Sequence, residues 1–123
     1  MVSGVFHVVL GLMQFLAPET FFDEIGSYGP ENTHYIGDVA AFTLAAGIGL
    51  LLAARYPGWR VPVLALIAVW YALHAVNHAF DVDEARSEAR GWFDTGLIAL
   101  GALASGYLAW AASKLNARGP GLP

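Results

Sequence analysis

Two histidines and an aspartate stand in an otherwise apolar run, ALHAVNHAFD, at residues 72–81. His74, His78 and Asp81 follow at intervals of four and three residues, so one face of a helix would carry all three. Two imidazoles one turn apart, with a carboxylate on the next turn, can bind zinc, copper, iron or manganese. His34 and Asp38 are also four residues apart and can complete the shell from a neighbouring helix. These five residues are the predicted metal site.

Three further polar residues are expected to support this site, namely His7, Asn77 and Asp94. His7 lies alone on the first apolar segment and is expected to hydrogen-bond across helices rather than to bind a metal. A bis-histidine haem would need two facing histidines and room for the macrocycle. His74 and His34 could face each other, but a small bundle leaves little space, so haem is not expected.

The same polar residues allow two other interpretations. A histidine beside a carboxylate in an apolar pocket can transfer protons on a lipid-like substrate, for which sterol isomerisation and quinone chemistry are the obvious classes. The chain has no GxSxG motif, P-loop or dinucleotide fingerprint, so the sequence leaves open whether it is an enzyme. In the structural alternative, these groups only cap helices or hydrogen-bond between them, and Asp81 simply ends its helix in water.

The composition identifies the surroundings of these residues. Hydrophobic residues make up 57% of the 123 residues and charged residues 13%, about half of what a soluble domain carries. A bilayer is therefore the expected solvent, and membrane lipids are the expected partners. The net charge of −4 provides no basic face for nucleic acid. The absence of cysteine excludes disulfides, thiolate metal sites and cysteine nucleophiles.

Hydropathy predicts an all-α chain whose single domain, residues 1–113, is a four-helix transmembrane bundle. The expected spans are at about 2–17, 35–54, 61–80 and 92–112, and each should approach the roughly 20 residues that cross a bilayer. The first span is short. Phe21 and Phe22 beside Asp23 and Glu24 predict a short interfacial helix in the first outer loop. Residues 114–123 are expected to form a tail.

The charges predict the orientation of the four spans. Both termini would lie on one side of the membrane, with four of the six lysines and arginines, Arg55, Arg60, Lys114 and Arg118. The positive-inside rule makes that side cytoplasmic. The helix ends that carry the five predicted ligands then lie together near the outer leaflet, as a pocket that opens outward. Only His7 belongs to the cytoplasmic half.

Three segments resemble small bacterial four-helix membrane proteins of the DoxX-like type, namely GPENTHYIGDVAAF at 29–42, ARYPGWRVP at 54–62 and HAVNHAFD at 74–81. The resemblance covers most of the chain. It implies the four-helix fold and a place in the bacterial inner membrane. Some DoxX-like proteins are associated with quinone-linked or redox membrane complexes. This chain departs from a thiol role because it has no cysteine.

The leading hypothesis is an inner-membrane protein that binds a divalent or redox metal, alone, as a homo-oligomer or as an accessory subunit of a membrane complex. The second is a membrane enzyme that acts on a lipid or quinone through His/Asp acid–base chemistry. The third is a structural subunit without a site. A metal would bind in stoichiometric amount, an enzyme would need an apolar route to the polar residues, and a structural subunit would need neither.

Overall fold

Helices make up almost the whole of the chain. A computed structural model describes residues 1–117, and within that range there are no strands. The five helices are α1 (Val2–Leu16), α2 (Pro18–Glu24), α3 (Thr33–Arg55), α4 (Arg60–Phe80) and α5 (Glu88–Ala117). One-turn 3₁₀ helices at Pro57–Trp59 and Val82–Glu84 complete two of the connections. The prediction of an all-α chain is confirmed.

Local sequence explains where these helices begin and end. Pro18 occupies the first turn of α2, where its missing N–H removes no helical hydrogen bond. The Asn32 side chain accepts hydrogen bonds from the backbone N–H groups of His34 and Tyr35 and so caps α3. Pro57 follows the last residues of α3 and starts the 3₁₀ turn into α4.

Three helical segments are long and apolar enough to cross a membrane, namely Thr33–Arg55, Pro57–Phe80 and Glu88–Ala117. Helix α1 has 15 residues and is about 22 Å long, which is less than the roughly 30 Å of a hydrocarbon core. Helix α1 is long and apolar enough to cross a membrane only when α2 is counted with it, and a bend of 114° separates the two helices. The short helix predicted in the first loop is present as α2.

The side chains are distributed as in a protein whose solvent is lipid. The buried apolar residues are mostly alanines, whereas large side chains such as Leu66, Leu73 and Leu103 are 60–70% exposed. His7, Gln14 and Thr43, by contrast, are buried. Small residues between helices and large apolar ones outside are typical of membrane helix packing.

Helices α1 and α3 are antiparallel and approach closely at glycines. Gly4 lies against Leu51, Gly11 against Leu44, and Gly47 against Val8. Ala41 and Ala45 are also small residues of α3, but both are exposed. The close contact with α1 uses a different face of α3, the face that carries Gly47.

The other neighbouring helices are also antiparallel, as predicted. Between α3 and α4, the ring of Phe42 packs at a tilt against that of Trp70, and Gly49 lies near Val63. Between α4 and α5, Tyr71 lies over Gly101 and Ala68 over Gly106. In both interfaces the residue numbers rise along one helix as they fall along its neighbour, so the chain runs up and down.

Helix α5 is longer at both ends than the sequence indicated. It begins at Glu88 rather than near Trp92, and it continues through Ala117. The tail predicted from residue 114 is therefore helical over its first four residues, 114–117, and the rest of it, 118–123, lies outside the described residues. The Arg90–Asp94 ion pair, one turn apart, supports the added first turn.

The contact between α1 and α3 predicts the effect of adding one methyl group. In Gly47→Ala, the new Cβ would lie 2.8 Å from the Val8 amide nitrogen and 3.0 Å from the Gly4 carbonyl oxygen. Because both atoms are backbone, the helices must separate, and we expect a loss of about 1–3 kcal/mol. Thermal unfolding in detergent, followed by circular dichroism, measures it.

The matched control is Gly96→Ala on α5, where the structure places no atom of residues 1–117 within 4 Å of the new Cβ. This substitution should be neutral or stabilising by up to about 1 kcal/mol, since alanine favours helix. Equal stability of the two variants would contradict the close packing of α1 on α3.

Candidate functional site

Two histidines of α4 and a tyrosine of the first loop form the centre of the candidate site. The rings of His74 and His78 meet edge to face with centroids 4.6 Å apart. The ring of Tyr28 packs on His78 in the same manner at 4.4 Å. The i, i+4 spacing on α4 accounts for the first contact, and the fold of residues 25–29 over the helix end accounts for the second.

Tyr28 joins this centre to an ion pair on α5. Its hydroxyl donates to Asp94 Oδ2 at 3.4 Å, and Arg90 Nε donates to both carboxylate oxygens of Asp94 at 2.9 Å. The Asp94 side chain is only 13% exposed, whereas that of Arg90 is 44% exposed. Asp94 is thus a carboxylate paired with a positive charge. It was predicted as a supporting residue, and Tyr28 connects it to His78.

Hydrogen bonds to backbone carbonyl oxygens fix the loop that carries Tyr28. Gly29 N–H donates to the Glu84 carbonyl oxygen at 3.2 Å, and Arg90 Nη2 donates to the Ile25 carbonyl oxygen at 3.4 Å. Arg86 donates to the Asp23 carbonyl oxygen. Gly29 has φ of +57°, a conformation that favours glycine. The first and last loops therefore close over the ends of α4 and α5.

A small cavity lies beside the ion pair, under the closed loops. Its volume of about 20 Å³ is lined by Glu24, Ile25, Ser27, Arg86, Arg90 and Asp94. That volume is sufficient for about one water molecule, and the lining supplies several hydrogen-bonding groups. The cavity gives solvent a place to contact the Asp94 carboxylate.

A second polar pair lies deeper, between α1 and α4. His7 is 2% exposed. Its Nδ1 is 2.7 Å from the Ser3 carbonyl oxygen and its Nε2 is 2.6 Å from the Tyr71 hydroxyl. Since a carbonyl only accepts, Nδ1 carries the proton and Nε2 of the neutral ring accepts from Tyr71. His7 is therefore a hydrogen-bond partner across helices, as predicted.

Trp70 connects the two polar regions. It stacks on Tyr71 with a centroid distance of 4.9 Å and on His74 at 5.8 Å, with interplanar angles of 19° and 14°. Trp70 therefore lies on the same face of α4 as His74. One aromatic ladder therefore runs along the inner face of α4.

The five predicted ligands do not all meet. His34 and Asp38 are 83% and 68% exposed, and their closest polar contact is with each other, 3.8 Å between Nε2 and Oδ2. Asp81 accepts a hydrogen bond from Asn77 at 3.0 Å, and both residues belong to an exposed helix end. Only His74 and His78 remain together in the interior, because α3 turns the face with His34 and Asp38 outward.

The site has no ready-made metal shell. Within residues 1–117 no group of three or more histidine, aspartate or glutamate side chains is arranged to hold a metal ion. Asp94, the carboxylate joined to His78 through Tyr28, is bound by Arg90. One atom of the site stays unpartnered in this part of the chain, the buried Nδ1 of His78. It can take a proton from a ligand or donate one.

Three of these residues, Tyr28, Tyr71 and Arg90, are not among the site residues predicted from the sequence. Arg90 had a local signal, because it precedes Asp94 by one helical turn. Tyr28 stands between two glycines in GSYGP, which marks a turn but not its contact with His78. Tyr71 is adjacent to Trp70, and its partner His7 is 64 positions away.

No protein-family model, curated protein or solved structure matches the chain. The chemistry of the named side chains therefore carries the functional conclusion.

The environment of Tyr28 predicts a late titration. Burial first, then the negative charge of Asp94 and the hydrogen bond to it, raise the pKa of Tyr28 from 10 to about 12. We expect Tyr28→Phe to remove a phenolate absorbance that appears only above about pH 11, measured by ultraviolet difference titration. Asp94→Asn should shift that component to lower pH.

The same raised pKa gives the sign of the effect on stability. The contribution of Tyr28 is complete below the unfolded pKa near 10 and is lost as pH rises toward 12. As the pH rises from 10 to 12, the free energy of unfolding should therefore fall less for Tyr28→Phe than for wild type. A Tyr28 component that titrates at the ordinary pH of a tyrosine would refute the described contacts.

Proposed function

We propose that the protein crosses the bacterial inner membrane four times, with both termini in the cytoplasm. Three apolar helices support three of the spans, and the shorter α1, which bends into α2, would supply the fourth. In this arrangement α2 lies in the outer interface, where its exposed acids contact water. The excess of lysine and arginine on the side of the termini supports the orientation, and the proposal includes the resemblance to DoxX-like proteins.

We further propose that His78 is an acid–base group for a membrane-soluble substrate bound near the outer leaflet. The observation that carries this proposal is the buried, unpartnered Nδ1 of His78 beside Tyr28, whose hydroxyl donates to Asp94. A buried polar atom without a partner is costly, and a ligand would remove that cost. Ionisable groups within membrane spans are commonly functional.

The chemistry follows from the atoms that face the ligand. Nδ1 of His78 would accept the proton of a substrate hydroxyl, or return it when the imidazole is protonated. Arg90 holds the charge of Asp94, and Asp94 orients the Tyr28 hydroxyl, so the ring of Tyr28 stays against His78. The surroundings are apolar, which favours a hydroxylated ring compound such as a quinol over a water-soluble substrate.

Ligand-induced stabilisation tests this proposal. A short-chain benzoquinol at 100 times its Kd should stabilise the detergent-purified protein by about 2.7 kcal/mol, seen as a rise in Tm. His78→Phe keeps a ring against Tyr28 but lacks Nδ1, so it should lose the effect. His34→Ala, which removes an exposed histidine, should keep it.

The dimethyl ether of the same quinol controls for apolar partitioning, because it cannot donate a proton. It should stabilise neither protein. An equal rise in Tm for wild type and His78→Phe would refute the role of His78.

A metal bound by His74 and His78 is the second candidate. Their rings are 4.6 Å apart at i, i+4 spacing, and two imidazoles so placed can share one ion. Other ligands would have to come from water or from a partner, since Asp94 is paired with Arg90. In this candidate, zinc, copper, iron or manganese would bind at the α4 histidines, without His34 and Asp38.

Elemental analysis of purified protein, expressed with metals and without chelator, tests this second candidate. We expect about one transition metal per chain in wild type and in His34→Ala, and none in the double variant His74→Ala/His78→Ala. Equal metal content in all three proteins would eliminate the α4 histidines as ligands. If neither metal nor quinol binds, the chain is best described as a structural subunit of a membrane complex.

A further inference from the structure

The charged side chains divide sharply between the two ends of the helical domain. All ten acidic residues lie in the segments 19–38 and 81–94, at the end where α1 and α4 finish and α3 and α5 begin. We call this the acidic end. Among residues 1–117, the opposite end carries Arg55, Arg60 and Lys114 and no acidic side chain. We call it the basic end.

The three cations of the basic end belong to one surface. Ala68 of α4 lies opposite Gly106 of α5. Because the two helices are antiparallel, Arg60 and Lys114 are each eight residues further toward the basic end from that contact, and so they lie at one level. Arg55 is the last residue of α3, and the one-turn helix at 57–59 joins it to α4.

Two of these cations are held against aromatic rings. The Arg55 guanidinium lies 5.2 Å from the ring centroid of Tyr56, and the Lys114 ammonium lies 5.9 Å from that of Trp110. Cations at such distances are attracted by the negative face of the ring. The rings therefore hold both charges at the basic end while the charges remain unneutralised.

Arg60 is fixed by a backbone contact and keeps donors to spare. Its Nε donates to the Ala53 carbonyl oxygen in the last turns of α3 at 3.3 Å. Both Nη groups remain, and a planar guanidinium can donate to two oxygens of one phosphate. Within residues 1–117, both ion pairs lie at the acidic end. No described carboxylate therefore compensates the charge of the basic end.

The length of α3 places the basic end at the level of lipid headgroups. Helix α3 has 23 residues and is about 34 Å long, slightly more than the roughly 30 Å of a hydrocarbon core. A span whose first turn reaches water on one side therefore brings Arg55 to the headgroups of the other. Tyr56 and Trp59 beside it are 48% and 50% exposed, and such rings favour the membrane–water interface.

We propose that the basic end binds the phosphate groups of anionic phospholipids in the adjoining leaflet. Arg60 donates to a phosphate through its Nη groups, and Arg55 and Lys114 supply further positive charge. The surface forms the rim of apolar helices, where headgroups are the anions at hand. The net charge of −4 repels a large soluble polyanion, whereas a lipid contacts the basic end alone.

This inference rests on the proposed crossing of the membrane by α3, α4 and α5, but not on the proposed role of His78. The positive-inside rule explains why cations gather at one end of a membrane protein. It does not require those cations to select one headgroup over another. Selectivity for an anionic headgroup is therefore the property that distinguishes a binding surface from a topology signal.

Lipid affinity of the detergent-purified full chain tests the proposal. Dioctanoyl phosphatidylglycerol and dioctanoyl phosphatidylcholine share the same acyl chains and differ in net charge. The Kd of each lipid follows from the rise in Tm with lipid concentration. Each cation beside anionic headgroups contributes about fivefold in affinity. Wild type should therefore bind phosphatidylglycerol at least about tenfold more tightly, and Arg55→Gln/Arg60→Gln should lose most of this preference.

Two further variants separate local charge from other effects. Arg55→Lys/Arg60→Lys keeps both charges and should retain most of the preference. Thr20→Glu/Thr33→Glu lowers the net charge from −4 to −6, as the glutamine variant does, but at exposed positions of the acidic end. It should keep the wild-type preference.

Three outcomes would overturn the proposal. The first is equal affinity of wild type for the two lipids. The second is a preference that survives in the glutamine variant or is lost equally in the glutamate variant. The third is equal stabilisation by inorganic phosphate, which would make the basic end a site for free anions rather than for lipid.

Single cysteines separate this inference from the proposed insertion, because the chain has none. In lipid vesicles, Ser87→Cys at the acidic end and Asn116→Cys at the basic end should react with a membrane-impermeant maleimide from opposite sides. Opposite labelling without a preference for phosphatidylglycerol refutes the lipid-binding surface and leaves the insertion intact. Labelling from one side refutes the insertion, and the lipid-binding surface with it.

Discussion

A polar group inside an apolar helical layer needs a partner, and this requirement explains most of the interior of the protein. His7 satisfies both ring nitrogens, one with Ser3 and one with Tyr71. Asp94 is bound by Arg90 and by Tyr28. The penalty for an unpaired buried polar atom is a few kcal/mol. It therefore fixes how the helices and the first loop are positioned around α4.

The same requirement separates the possible functions. A carboxylate already neutralised by an arginine is a poor candidate for a metal ligand, whereas a histidine nitrogen with no partner is well suited to a proton donor or acceptor. His78 combines that free nitrogen with a ring contact to Tyr28. The site therefore favours acid–base chemistry over the metal shell that residue spacing alone had suggested.

The helix packing is adapted to a solvent that cannot drive helices together through the hydrophobic effect. Glycines on α1 and α3 bring backbones into contact, and large apolar side chains face outward. The aromatic and histidine side chains on the inner face of α4 are therefore the most distinctive feature between the helices. The loops then close the outer end of α4, so that access to His78 depends on Tyr28 and its neighbours.

The sequence by itself determined the apolar helices, their antiparallel order and the pairing of His74 with His78, because hydropathy and helical periodicity are local properties of the chain. Only the tertiary structure decided which partners meet those residues. Tyr28 reaches Asp94 across 66 positions, and His7 reaches Tyr71 across 64, and no local pattern encodes such contacts. The rotation of α3 was also undetermined, since its apolar residues surround the helix. Packing through Gly47 turned His34 and Asp38 outward, away from the site.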